Sequence, residues 1–306
     1  MPATALRLAM LGLAAAATAI AFTGPARSAA DAASAGKIVF HSRLKGGNNE
    51  IFSMSPSGVG LVRLTRSGAS DSNPTWSPDG RRIAFESNRH HDRRGYQDSD
   101  VFVMDANGSR VRELTFSNRF DGDPAWSRSN TIAFESERNG VADVYSIRPD
   151  GRGERRLTTS PAFDGDPAWS PNGRRVVFTS ERDGGDRELY AMNADGTDQT
   201  RLTTSAGFDE NPSWSPNGRL IAFDSMRDGN LEIYVMNADG TNVRRVTDHP
   251  AIDAIPAWSQ DGSRIVFVSE RIAKGQRRLF SVAASGGPAR QLTRGSFDMS
   301  PDWYRG

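Results

Sequence analysis

The sequence of 306 residues contains no cysteine. A chain without cysteine has no disulfide bond and no attachment site for a lipoprotein anchor. Packing alone must therefore stabilise the folded protein. Lysine is also scarce, because only Lys37, Lys45 and Lys274 occur and nearly all other basic residues are arginine.

An excess of positive charge is missing as well. Residues 1–30 contain two of the 38 basic residues and no acidic residue, which leaves 36 basic and 37 acidic residues in the rest of the chain. Proteins that bind phosphate backbones carry basic surfaces. The charge balance therefore predicts that nucleic acid is not a partner.

Long apolar runs are confined to the N-terminus. Arg7 is followed by fifteen apolar residues, 8–22, and then by the small residues of GPARSAADA. This order is typical of a secretory signal peptide, and the run is shorter than the roughly 20 residues of a membrane-spanning helix. We expect a signal peptide over residues 1–30, cleaved near Ala30 or at Ala35, and a linker over 31–36, with no membrane span after cleavage. An uncleaved membrane anchor is the alternative.

Motifs of several enzyme classes are also missing. The sequence has no G-x-S-x-G nucleophile elbow, no P-loop and no dinucleotide-binding fingerprint. We expect no room for a hydrolase domain beside the repeats described next. These absences argue against a peptidase.

The sequence does contain a repeat, D-x-x-P-x-W, that recurs six times. The tryptophans are Trp76, Trp126, Trp169, Trp214, Trp258 and Trp303, spaced 43 to 50 residues apart. The prolines are Pro74, Pro124, Pro167, Pro212, Pro256 and Pro301, and the aspartates are Asp71, Asp121, Asp164, Asp209, Asp253 and Asp298. A binding site rarely needs six copies of a residue, so we interpret the Trp and the Pro as structural.

Each repeat predicts four short strands. The first carries the Trp, and a turn such as SPNG leads to a second strand with a fixed Phe, as in RRIAFES. The third strand is an apolar run such as IYVM, and the polar fourth strand ends in Leu-Thr or Val-Thr. Units of about 40–45 residues with four strands are typical of β-propeller blades. The predicted fold is therefore all-β, a six-bladed β-propeller of residues 37–306 with four antiparallel strands per blade.

The two ends of the chain are predicted to complete one blade together. SPDWYRG ends the sequence directly after a first strand, while KIVFHS, EIFSMSPSG and LVRLT supply the second, third and fourth strands. Pairing of the C-terminal strand with the N-terminal blade would close the ring and leave no sheet edge inside it.

The pattern D-x-x-P-x-W-S-P-[DN]-G, followed by YVMNADGT and RRLT, resembles the TolB-type propeller repeat. The resemblance covers residues 37–304. It implies a periplasmic, non-enzymatic envelope protein, whereas similar repeats form propellers of some peptidases and of oligogalacturonate lyases. TolB has a further N-terminal domain before its propeller, and here only DAASAG separates the predicted signal peptide from the repeats.

The six aspartates are the first candidate site. We expect each Asp in the loop that joins one blade to the next. A conserved spacing after the Phe places an Arg at the same face, namely Arg89, Arg138, Arg182, Arg227 and Arg271, whereas Arg43 comes one residue early in the N-terminal blade. One interpretation is that each Asp caps a turn and pairs with its Arg. The other is a carboxylate ring at the channel mouth that binds Ca²⁺, another divalent cation or a basic peptide.

Departures from the repeat form the second candidate site. The loop of residues 88–100 is the longest and carries His90, His91 and Tyr96 on the predicted Asp face. His249 and His41 come from nearby blades, so a metal bound by histidines is an alternative to solvated loop residues.

The sequence favours a binding module over an enzyme, because no acid–base pair departs from the repeat. We expect a secreted protein, periplasmic or extracellular, that has no cofactor, acts as a monomer and binds an envelope protein or peptide. The alternative is a carbohydrate-active or metal-dependent enzyme of the lyase type with its site at the channel mouth.

Overall fold

A computed structural model describes residues 36–43, 47–89 and 99–304. The predicted signal peptide and linker up to residue 35 lie outside the described residues. So do the candidate site residues His90, His91 and Tyr96.

The described chain folds into 24 strands. Those of the first half are β1 Ile38–Arg43, β2 Asn49–Met54, β3 Val62–Arg63, β4 Asp71–Trp76, β5 Arg82–Ser87, β6 Asp100–Asp105, β7 Arg112–Glu113, β8 Asp121–Trp126, β9 Ile132–Ser136, β10 Asp143–Ile147, β11 Arg155–Arg156 and β12 Asp164–Trp169. Those of the second half are β13 Arg175–Ser180, β14 Glu188–Asn193, β15 Thr200–Arg201, β16 Asp209–Trp214, β17 Leu220–Ser225, β18 Glu232–Asn237, β19 Arg244–Arg245, β20 Asp253–Trp258, β21 Arg264–Ala273, β22 Gln276–Ala283, β23 Arg290–Gln291 and β24 Asp298–Trp303.

The strands form six antiparallel sheets of four, which confirms the predicted propeller. Blade 1 has the order β24-β1-β2-β3, and blades 2 to 6 follow as β4–β7, β8–β11, β12–β15, β16–β19 and β20–β23. In blade 1, Ile38 pairs with Trp303 and His41 with Met299. The C-terminal strand therefore closes the ring as expected, and Trp303 and Phe40 share one sheet.

The innermost strand of every blade, strand a, contains a β-bulge. In blade 4 the pairing of β12 with β13 shifts between Gly165 and Ala168, so Asp166 and Pro167 have no direct partner. The Pro is the fourth of the six residues of this strand. The bulge explains this position, because a residue outside the ladder loses no hydrogen bond when it lacks an N–H.

The hydrophobic core lies between neighbouring blades. Val177 and Leu189 of blade 4 pack with Trp214 and Phe223 of blade 5, and all four side chains are buried. The other interfaces repeat this arrangement. Each Trp is thus buried against the preceding blade, which confirms its structural role. Within the described ranges, no helix could span a membrane.

Candidate functional site

The repeated aspartates start strand a rather than lying in the loop before it. In blade 4, Asp164 is fully buried and accepts a hydrogen bond from the Ser180 hydroxyl at 2.6 Å. Its other oxygen lies 2.7 Å from Nη2 of Arg182. The same ion pair joins Asp71 to Arg89, Asp121 to Arg138, Asp209 to Arg227, and Asp253 to Arg271. The predicted Asp–Arg pairing is therefore present in five blades.

The arginines of these pairs also stack on aromatic rings of their own blade. The guanidinium carbon of Arg182 lies 5.2 Å from the ring centre of Phe178 and 4.8 Å from that of Tyr190. Cation–π contacts of this kind hold the guanidinium between the strands. Because the carboxylates are buried and paired, they form no open ring around the channel. Capping and pairing account for this geometry, and a binding role of the six aspartates stays a prediction.

Blade 1 departs from the pattern, as the early position of Arg43 predicts. Nε of Arg43 donates to Asn49 at 3.2 Å, and its guanidinium lies over the ring of Phe297. Asp298 is left with hydroxyl and main-chain donors, and burial raises the pKa of its carboxyl. One of its oxygens is buried without a hydrogen-bond partner among the described residues.

Each of the two described histidines accepts a hydrogen bond from a different main-chain N–H. Nδ1 of His41 accepts from the main-chain N–H of Asn73 at 3.2 Å. Burial, together with the nearby positive charges of Arg43 and Arg277, lowers the pKa of His41 to about 3. Nδ1 of His249 accepts from the N–H of Ala251 at 3.1 Å. Neither belongs to a group of metal-ligating side chains in the part of the chain that the structure describes.

The six inner strands enclose a cavity of about 220 Å³ on the propeller axis. The cavity begins at the third residue of each strand a. In blades 2 to 5 its lining reaches the turn that leads to the next strand, strand b, so it opens on the face of these turns. We call this cavity the channel and its inner end, the ring of third residues, the floor. The floor is formed by Asn73, Asp123, Asp166, Asn211, Ile255 and Ser300.

Every floor residue has a left-handed backbone, with φ between 46° and 55°. Asn and Asp tolerate this conformation better than most residues do. At Asn73, Asp123 and Ile255 the main-chain N–H reaches the preceding blade, where a side chain of its strand b accepts the hydrogen bond. Glu86 accepts from the N–H of Asp123, and Asp224 accepts from that of Ile255, both at 3.3 Å. The bulge therefore joins neighbouring blades at the floor.

Acidic groups gather on one side of this floor. Asp123, Glu135 and Asp166 each place an oxygen within 4.8 Å of the others. Burial and mutual repulsion raise the pKa of Asp123 and Glu135 well above the usual range. Burial and the nearby Glu210 raise the pKa of Asp166 to about 6, against the opposing effect of Arg187. A cluster of carboxyl groups this close together is stabilised either by protonation or by a bound cation.

Arg187 lies near enough to Asp166 to lower its pKa, but it forms its ion pairs with other carboxylates. Its guanidinium lies 2.9 Å from Glu210, 3.0 Å from Glu181 and over the ring of Phe163. The guanidinium of Arg187 is therefore paired with Glu181 and Glu210. The trio of Asp123, Glu135 and Asp166 therefore remains without an ion-pair partner among the described residues.

Sequence reasoning missed the floor because it followed the repeated residue. The third position of the pattern reads Asn, Asp, Asp, Asn, Ile and Ser in blades 2, 3, 4, 5, 6 and 1. The long loop of residues 88–100 is the most obvious departure from the repeat, but the residue type at this third position also varies and is visible in the sequence.

Two family descriptions match parts of the chain. The TolB beta propeller domain matches residues 119–226, and the Tricorn protease N-terminal beta propeller domain matches residues 185–301. No curated protein matches the sequence.

Solved structures with the same fold include two TolB proteins. TolB from Acinetobacter baumannii superposes with a TM-score of 0.76 and 19% identity, covering 88% of this chain and 66% of that one. Putative TolB from Agrobacterium tumefaciens gives 0.68 and 22%, covering 86% and 89%. Kuenenia stuttgartiensis hydrazine synthase gives 0.71 and 15%, and the chain spans 47% of its length. At these identities the likeness shows the fold alone.

Proposed function

We propose that this chain, a six-bladed propeller built of TolB-type repeats, is a secreted, non-enzymatic module that binds a protein or peptide of the cell envelope. It would work in the periplasm of a cell with an outer membrane and outside a cell without one. It would act as a monomer, since the ring is closed within a single chain.

The observation that carries this proposal is the acidic floor of the channel. All six blades contribute to one cavity, and the carboxylates at its floor form no ion pair among the described residues. Buried charges without partners are costly, so such a surface is suited to a ligand that brings positive charge. The group of metal-ligating side chains at this floor contains no histidine within the described ranges, so no imidazole base accompanies the carboxylates, which favours binding over catalysis.

The resemblance to TolB supports the same proposal. The matched family gives the propeller, and the proposed envelope role comes from the TolB proteins that share it. The predicted signal peptide of residues 1–30 agrees with a destination outside the cytoplasm.

Capture of a partner from the organism's own envelope fraction tests the proposal. The purified propeller, without residues 1–30, is immobilised, and bound proteins are identified after a salt wash. A specific protein that binds the native propeller and not a heat-denatured sample is the expected result. Reproducible failure to retain any protein or peptide would refute the binding role.

A metal-dependent enzyme of the lyase type is the second candidate, because three carboxylates within 4.8 Å could hold a divalent cation such as Ca²⁺. The cation would also be needed to bring an acidic polysaccharide near this floor. The test is a melting temperature that rises with Ca²⁺ and falls with EDTA, combined with Ca²⁺-dependent cleavage of such a polysaccharide. A melting temperature that changes with neither Ca²⁺ nor EDTA would exclude the metal-dependent enzyme.

A further inference from the structure

The channel floor gathers carboxyl groups that form no ion pair with any described basic side chain. Asp123 and Asp166 line the cavity, and Glu135 lies behind them. Arg128 is the basic residue of the described lining, but it lies two residues beyond the end of its strand, at the mouth.

A neighbouring carboxylate at the floor is incompletely bonded. Asp224 is fully buried, and one of its oxygens accepts from Asn211 at 3.2 Å and from the N–H of Ile255 at 3.3 Å. The other oxygen has no hydrogen-bond partner in the part of the chain that the structure describes. A buried acceptor without a donor is unfavourable. The amide of Asn73 donates to Asp123 at 2.5 Å, so the floor has donors of its own, but not enough for every carboxylate oxygen beside it.

The size of the channel limits what can enter. Its 220 Å³ is below the roughly 300–1,000 Å³ of most small-molecule sites. One long side chain with a short piece of extended main chain is an occupant of this scale. Indole faces near the cavity would also favour a cation over a neutral group.

We propose that the channel receives an arginine or lysine side chain from an extended segment of the partner protein. The segment enters from the face of the turns between strands a and b, and its cation lies at Asp123 and Asp166. This inference rests on the proposed binding function and names the chemistry of the ligand. It also moves recognition to the face opposite the one that carries the Asp–Arg pairs.

Two peptides that differ only in charge test the inference. The probes are acetyl-Gly-Gly-Arg-Gly-Gly-amide and its citrulline twin, which keeps the shape of arginine but is neutral, and binding is measured by calorimetry. The arginine peptide should bind at least ten-fold more tightly, since a hydrogen bond to a charged group contributes enough for a ten- to hundred-fold change. The variant D123N/D166N should lose that difference. The matched control Asp105→Asn, which alters an exposed ion pair with Arg110, should keep it.

Several results would overturn the inference. Equal affinity for the two peptides would do so, as would unchanged binding to D123N/D166N with a wild-type circular dichroism spectrum and melting curve. Ca²⁺ binding that depends on Asp123 without any binding of the arginine peptide would assign the floor to a metal instead. If wild type and D123N/D166N both capture the same envelope partner, the inference fails and the proposed function stands. If neither peptide nor partner binds wild type, the proposed function fails as well.

Discussion

The buried pair of Asp164 and Arg182 is expected to stabilise the propeller without contributing to recognition. Asp164→Asn keeps the shape of the side chain but removes its charge, so the guanidinium loses its partner. Breaking a buried ion pair costs about 3–5 kcal/mol. The Arg182 side chain retains 20% exposure, and water compensates part of this loss, so we expect about 2–4 kcal/mol.

This loss can be read as a melting temperature. Unfolding entropies of about 2.1 cal/mol/K per residue, for a propeller of roughly 270 residues, convert the loss into about 4–7 °C. Differential scanning calorimetry of the chain lacking residues 1–30 measures it directly. Capture of the envelope partner should be unchanged at 20 °C, well below the expected transition, because Asp164 does not line the channel.

Two controls separate the ion pair from general effects of the substitution. Asp298→Asn removes the aspartate of the same repeat position in blade 1, where no arginine is paired, so it should cost less. Asp105→Asn breaks a surface pair in which the Arg110 side chain is 83% exposed and should shift the free energy of unfolding by less than about 1 kcal/mol. The reasoning is refuted if Asp164→Asn melts like wild type, or if it folds normally but no longer captures the partner.

Three further predictions concern the channel and the blade interfaces. Burial raises the pKa of Asp123 and Glu135, so their protonation favours the folded state. The free energy of unfolding, measured in urea, should therefore fall as pH rises from about 4. A flat pH profile, or a profile that is unchanged in D123N/E135Q, would contradict this. Gly196→Ala should destabilise more than Gly229→Ala, since both have positive φ but only at Gly196 would the new Cβ lie 2.6 Å from a carbonyl, that of Leu157 in the preceding blade; equal melting temperatures would exclude the contact as the cause. Trp303→Ala, in the strand that closes the ring, should cost about 3–5 kcal/mol in denaturant unfolding, and a loss below about 1 kcal/mol would show that closure adds little stability.

The sequence alone was sufficient for the architecture because each blade repeats the same local rules. The Trp spacing, the Asn-Gly and Asp-Gly turns and the apolar third strands each predict one strand or turn, and six copies leave little ambiguity. The sequence also predicted the closure of the ring, since the strand around Trp303 lacks the other three strands of its blade and the segment after Lys37 supplies them. The pairing of Asp164 with Arg182 followed from antiparallel geometry, which brings the start of strand a beside the end of strand b.

Only the tertiary structure decided which side chains reach the axis. Simple alternation along a strand cannot predict the bulge at Asp166 and Pro167, because the left-handed residue depends on the N–H acceptor offered by the preceding blade. In the resulting strand the repeated Asp is buried within the blade, whereas the variable third residue lies at the floor of the channel. Asp123 and Asp166 are 43 positions apart in the sequence, and they meet Glu135 only because neighbouring blades converge on the propeller axis.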